Sequence, residues 1–173
     1  MQKNNLAIIL SGGIGKRFDI SKPKQFYKFN KKTIIEISVE KFVNSNLFNY
    51  IIIVSHKKFF KFTQKLFNYK NVKVVLGGEN RQESVFKGLE IAKSLNPKNV
   101  LIHDSVRPFF SMTLLKTVLK KLKDDICVIP SINVDDSARY FKNKEYTNIP
   151  RDYLKLIQTP QGFCFNSIYE AHI

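Results

Sequence analysis

The stretch LAIILSGGIGKRFDISKPKQF, Leu6 to Phe26, decides how the rest of the chain is read. Five apolar residues come first, the composition of a strand buried on both faces, and they run straight into a glycine-rich turn. Gly12, Gly13 and Gly15 let the backbone approach phosphate oxygens closely, while Lys16, Arg17, Lys22 and Lys24 bring positive charge to the same turn. Neither familiar phosphate motif is present. Gly13-x-Gly15 lacks the third glycine of the dinucleotide fingerprint, and no serine or threonine follows a lysine at P-loop spacing. The glycines alone suit a tight turn with solvated lysines equally well. Lys24 stands apart, because Pro23 stiffens the backbone before it and Gln25-Phe26 offers an amide donor and an apolar anchor behind it.

Outward from this turn, short apolar runs alternate with helical patterns. Leu6–Leu10, Tyr50–Val54, Val72–Leu76, Val100–His103 and Ile126–Ile129 read as strands. Thr33–Asn44, Lys57–Phe67, Gln82–Ser94 and Met112–Lys123 read as helices between them. In the first helix Ile34, Ile37 and Phe42 can share an apolar face, and in the third Val85, Leu89 and Ala92 can do so. Strand following helix throughout predicts an α/β fold, a mostly parallel sheet flanked by helices on both sides, with right-handed crossovers. Residues 133–153 depart from this pattern: they are polar, with a turn-like KNKE at the centre, and predict an arm that leaves the sheet.

At 173 residues the chain suits a single domain. No segment approaches the roughly twenty apolar residues of a membrane span. The N-terminal apolar run is too short for a signal-peptide core, so the expected location is the cytoplasm. Cys127 and Cys164 are far apart, without metal-type spacing, and read as reduced thiols. A net charge of +15 invites a nucleic-acid partner. Against it, the lysines are scattered along the chain amid an excess of Asn, Ile, Phe and Tyr, as an A/T-rich genome imposes, and no nucleic-acid-binding motif occurs.

Ligands of such sheets sit at the carboxyl ends of strands. GGENRQES, residues 77–84, places Gly78, Arg81 and Ser84 there, with Asn80 and Glu83 also fitting a helix cap. HDSVRP, residues 103–108, sets Asp104 at a strand end with Arg107 three residues on. Asp104 suits a hard cation such as Mg²⁺ and Arg107 an anion; the two equally suit a mutual ion pair. His103 reads as a packed residue. Ser137 in the Asp135–Arg139 turn suits a polyol or phosphate, or solvent, and Arg151 and Thr159 are similar cases, Thr159 being held extended before Pro160.

The G-x-G-x-R…PKQ loop, GG-x-x-R-x-x-SV, HD-x-x-RP and QTPQ occur here in one order and register, spanning residues 6 to about 165. Together they resemble the 2-C-methyl-D-erythritol 4-phosphate cytidylyltransferase family, and ribitol-5-phosphate cytidylyltransferases look similar in the same motifs. The resemblance implies a Rossmann-like nucleotidyltransferase domain, CTP as substrate, Mg²⁺ as cofactor and loss of pyrophosphate. By motif it implies Arg17 and Lys24 as catalytic cations, and Gly12, Gly13 and Gly15 around the triphosphate. Gly78, Arg81 and Ser84 are then near cytosine and ribose, and Asp104 corresponds to a metal or CMP-phosphate contact. Arg107, Ser137, Arg151 and Thr159 correspond to acceptor and transition-state contacts. The arm corresponds to a dimerisation arm, implying a homodimer. The family's AAG reads Ser11-Gly12-Gly13 here, and its DT(I/M)K reads Asp136-Ser137-Ala138-Arg139. Its later T-D-(D/E) and N-I-K-(V/I)-T segments do not occur before Ile173, so the chain is expected to be incomplete at its C-terminus. An inactive truncated homologue therefore stands as an alternative beside the ribitol-phosphate enzyme.

Overall fold

The computed structural model describes residues 4–13 and 23–173. In chain order the first elements are β1 (Asn5–Ser11), β2 (Lys28–Phe29), β3 (Lys32–Thr33), α1 (Ile34–Ser45), β4 (Tyr50–Ser55), α2 (Phe60–Leu66) and β5 (Val72–Leu76). Then follow α3 (Arg81–Lys93), β6 (Asn99–Asp104), α4 (Met112–Lys121), β7 (Cys127–Val128), β8 (Ser131–Asn133), β9 (Ala138–Lys142) and β10 (Glu145–Ile149). The last are β11 (Lys155–Ile157), β12 (Gln161–Cys164) and α5 (Phe165–Glu170).

The main sheet has six strands in the order β5-β4-β1-β6-β12-β7. β1 pairs in parallel with β4 on one side and β6 on the other, and β5 extends the parallel set beyond β4. After β1 the chain therefore builds outward to β5, returns, and places β6 on the opposite flank. That reversal opens a crevice above the carboxyl ends of β1 and β6, the position where doubly wound sheets bind ligands. The expected α/β architecture is found.

Alternate residues of β1 feed two cores, one on each face. Ala7 and Ile9 pack with Ile35, Val39 and Phe42 of α1 and Leu115 and Val118 of α4. Leu6 and Ile8 pack with Val85, Leu89 and Ala92 of α3 and Phe165 of α5. Each such side chain withdrawn from water contributes about 2 kcal/mol, which is why β1, sandwiched on both faces, is apolar throughout.

Three expectations are corrected. The inner face of α1 is Ile35, Ser38, Val39 and Phe42, not Ile34, Ile37 and Phe42. Thr33 caps this helix, with its hydroxyl bonded to the Glu36 N–H and the Glu36 carboxylate to the Thr33 N–H, and that start rotates Ile34 and Ile37 toward a neighbouring groove. The last parallel run shrinks to Cys127–Val128, and it does not lie beside β6. That place is taken by β12, antiparallel to both β6 and β7; its four residues, QGFC, are too few and too mixed to announce a strand. The segment 57–67 opens with a 3-10 turn, Lys57–Phe59, before α2.

Residues 131–157 form two small antiparallel sheets separate from the main one. β8 and β11 pair as an antiparallel stem, and β9 and β10 form a hairpin whose turn is Asn143-Lys144, both with positive φ (53° and 66°). Those angles match the turn that follows the natural twist of a two-residue hairpin.

Candidate functional site

The crevice at the β1/β6 reversal has a volume of about 460 Å³ and is lined from three strand ends. β1 supplies Gly12 and Gly13, the β5–α3 junction supplies Gly78, Arg81 and Ser84, and β6 with its following turn supplies Asp104 and Ser105. Among the described residues a Cβ added at Gly13 would meet no atom within 4 Å, so on their side it faces open cleft rather than packing. Gly78 is glycine for a different reason. A Cβ there would sit 2.4 Å from the Glu83 side chain, which folds back to accept the Glu79 N–H at 2.8 Å. That hydrogen bond first, and then Lys87, hold the Glu83 carboxyl below its usual range.

Gln25 lines the crevice from the short 3-10 turn Lys24–Phe26, which follows Pro23. Phe26 is buried, with its ring 5.2 Å from that of Phe59 and 5.0 Å from that of Phe62. Gln25 is buried as well, and its Nε2 donates to the Ser11 carbonyl at 3.2 Å and the Gly13 carbonyl at 2.8 Å. One side chain thus ties the lysine-bearing turn to the glycine turn it faces. The anchor and the amide donor were legible in the sequence; the target of the amide was not. Gly15 and Arg17, with Lys16 and Lys22, lie outside the described residues.

At the opposite rim Asp104 is gripped by two arginines. Its Oδ1 accepts from Arg81 Nη2 at 3.0 Å and its Oδ2 lies 3.4 Å from Arg107 Nε. The ion pair anticipated between Asp104 and Arg107 is present, and Arg81, the first residue of α3, joins it. Arg107 also donates from Nη1 to Gln158 Oε1 at 2.6 Å. Ser84 faces inward and accepts the Gly78 N–H at 3.0 Å, bracing that turn at the crevice. Asn80 caps α3 as expected, accepting the Glu83 N–H at 2.8 Å.

His103 is fully buried, and burial, assisted by the charge of Arg107, lowers its pKa from 6.5 to about 3 against the opposing bond to the Arg107 carbonyl. It is neutral at physiological pH and packed, as expected. Thr159 directs its hydroxyl to His103 Nδ1, 2.9 Å away, rather than into the crevice. The peptide between Thr159 and Pro160 is cis. Ser137 and Arg151 do not line the crevice. Both are exposed on the arm, where Arg151 Nη1 donates to the Asp135 carbonyl at 2.9 Å beside Asp152 and Lys155.

Among the described residues no group of three His, Cys, Asp or Glu side chains converges as a metal cage. Mg²⁺ does not require one, because it keeps several waters and uses one or two carboxylates together with substrate phosphates. Asp104, partly exposed at the crevice and flanked by guanidiniums that attract the same phosphates, fits that mode. Sequence reasoning did not single out Ser38, Lys41 or Ser105, whose importance lies in contacts between elements distant along the chain.

Comparison with known proteins places this geometry. The family model for 2-C-methyl-D-erythritol 4-phosphate cytidylyltransferase matches residues 6–173. The chain is 39% identical over 167 residues to a bifunctional enzyme IspD/IspF of Pelagibacter ubique, covering 96% of this chain and 45% of that protein. It is 36% identical over 173 residues to a 2-C-methyl-D-erythritol 4-phosphate cytidylyltransferase of Thermosipho melanesiensis, covering 96% of this chain and 76% of the other. Thus the chain spans less than half of the bifunctional relative and about three quarters of the monofunctional one. Among solved structures, 4-diphosphocytidyl-2C-methyl-D-erythritol synthase of Anaerococcus prevotii superposes with a TM-score of 0.84 at 26% identity, over 98% of this chain and 75% of that one. The bifunctional IspDF of Campylobacter jejuni superposes with a TM-score of 0.83 at 25% identity, over 98% of this chain and 43% of that one.

Proposed function

Because the chain belongs to the 2-C-methyl-D-erythritol 4-phosphate cytidylyltransferase family, we propose that it transfers CMP from CTP to 2-C-methyl-D-erythritol 4-phosphate and releases pyrophosphate. The observation that carries this reading is the crevice at the β1/β6 reversal, where a glycine turn, the Gly78 turn and the Arg81–Asp104–Arg107 cluster converge.

In this reaction an oxygen of the acceptor phosphate attacks the α-phosphorus of CTP in line with the departing pyrophosphate. The acceptor is already ionised, so the protein needs no general base; its work is positioning and neutralisation of charge. Gly12 and Gly13 leave room for the triphosphate, Gly15 is assigned to the same role by its place in the sequence motif, and Gly78, Arg81 and Ser84 form the side that meets cytosine and ribose. Lys24, held between Pro23 and buried Gln25, faces the charge that grows on phosphorus, with Arg17 as its partner. Arg107 takes the acceptor side, and Thr159, whose hydroxyl is turned to His103, stands behind it. Asp104 would hold Mg²⁺, which when bound supplies charge neutralisation to the phosphate oxygens.

Residues 1–173 act in this reading as one nucleotidyltransferase domain, in the cytoplasm, with the arm at about 133–153 joining two copies. Exposed Ile132, Tyr140, Phe141, Tyr146, Tyr153 and Leu156 on the arm and its stem support that joining, since monomer surfaces seldom leave so many large apolar groups together. A homodimer would bring Ser137 and Arg151 to the partner's acceptor side. The test is pyrophosphate release from CTP and Mg²⁺ with methylerythritol phosphate against ribitol 5-phosphate. Release with the first alone supports the reading; release with ribitol phosphate alone replaces it, and release with neither refutes it.

A further inference from the structure

The turn that follows β6 is held from beneath at three carbonyls. Ser38 Oγ donates to the Ser105 carbonyl at 2.7 Å, and Lys41 Nζ donates to the Phe110 carbonyl at 2.7 Å. Between them His103 Nε2 meets the Arg107 carbonyl at 3.1 Å. A carbonyl can only accept, so Nε2 carries the ring proton and Nδ1 is an acceptor. The Thr159 hydroxyl, 2.9 Å from Nδ1, is therefore the donor, and its oxygen is left facing the Asp104 N–H at 3.4 Å.

His103 thus reaches two segments that the chain keeps more than fifty residues apart. Its ring is fully buried, with the rings of Phe42 and Phe110 at 5.3 and 4.7 Å, so no ligand touches it. Above it the same two segments are joined again by Arg107 Nη1 and Gln158 Oε1 at 2.6 Å. Ring below and guanidinium above leave the Asp104–Arg107 turn little freedom to rotate against the Gln158–Pro160 turn.

We propose that His103 is a positioning residue: by clamping the Arg107 carbonyl and the Thr159 hydroxyl together, it sets the direction in which Arg107 presents its guanidinium to an anion. The anion's identity, the acceptor phosphate, rests on the functional reading above; the clamp does not.

The experiment compares His103→Asn, which keeps an acceptor near Nδ1 and loses the Arg107 contact, with His103→Gln, which keeps a donor near Nε2 and loses the Thr159 contact. Thr159→Val and the double variant His103→Gln/Thr159→Val complete the set. Without any substrate, amide hydrogen exchange at Asp104 and Arg107 should accelerate about fivefold in each variant, while β1 and β4 keep their protection. With substrates, KM for methylerythritol phosphate should rise about fivefold and KM for CTP stay within about twofold. The double variant should be no worse than His103→Gln alone, because both remove one bond. Unchanged exchange at Asp104 and Arg107 overturns the proposal, and so does protection lost evenly through the sheet or both KM values rising together, which mark a merely structural histidine. Absence of pyrophosphate release by the unaltered chain would defeat the functional reading instead, and the exchange data would then decide the clamp.

Discussion

Gln25→Met removes the link between the lysine turn and the glycine turn while leaving side-chain volume nearly unchanged. The wild-type amide serves two carbonyls, that of Ser11 in buried surroundings and that of Gly13 in half-buried ones. Stranding a buried acceptor costs about 1–2 kcal/mol and a half-buried one about half that, so the variant should lose about 2 kcal/mol of stability. Methionine fills the space without an added cavity penalty. In a domain of this size each kcal/mol lowers Tm by about 2–4 °C, so scanning fluorimetry should find a drop of about 4–8 °C. The same loss frees Lys24 relative to Gly13, and kcat for pyrophosphate release should fall at least about tenfold at room temperature, where the variant remains folded. A normal kcat beside the expected drop in Tm would refute the argument that Gln25 positions the lysine turn for the proposed chemistry. An unchanged Tm would refute the valuation of its two hydrogen bonds.

Lys24→Ala should lower kcat by about a hundredfold or more with the circular dichroism of the sheet retained; near-normal turnover would remove Lys24 from the chemistry. Gly162→Ala should destabilise without touching the site, because the new Cβ would sit 2.4 Å from Val118 Cγ1 and 2.8 Å from Leu122 Cδ1; overpacking of about 1–3 kcal/mol should appear in urea midpoints with KM for CTP unchanged. His103 makes stability depend on pH, since its pKa of about 3 in the fold lies below its ordinary 6.5. Above about pH 6.5 both states are neutral and this contribution is complete; as pH falls toward 3 the unfolded chain takes a proton that the fold refuses, costing about 2 kcal/mol by pH 5. Urea midpoints at pH 7 and pH 5 should show that loss in the wild type and lack it in His103→Gln.

Burial periodicity carries the parts of this protein that can be read residue by residue. Leu6–Leu10, Tyr50–Val54, Val72–Leu76 and Val100–His103 each coincide with a strand of the sheet; the central ones are covered on both faces and so apolar along their length, while Val72–Leu76, at the edge, admits the exposed Lys73. The Asn143-Lys144 turn, the Asn80 cap, the packed His103 and the support behind Lys24 were legible for the same reason: each is decided by a few neighbours in the chain.

What lies between distant segments was not. β12 enters between β6 and β7 because pairing energy belongs to two strands at once, and four residues of QGFC show only one partner's half of it. The inward face of α1 turned on where Thr33 started the helix, and one residue of offset exchanges Ile34 for Ile35. Asp104 offered the sequence one arginine, and the fold added Arg81 from a helix that begins 23 residues earlier. A chain can specify which residues must leave water and which turns it can make. Which carbonyl a buried amide meets, and which two turns a histidine joins, depend on the distances that close packing imposes after those local preferences are satisfied.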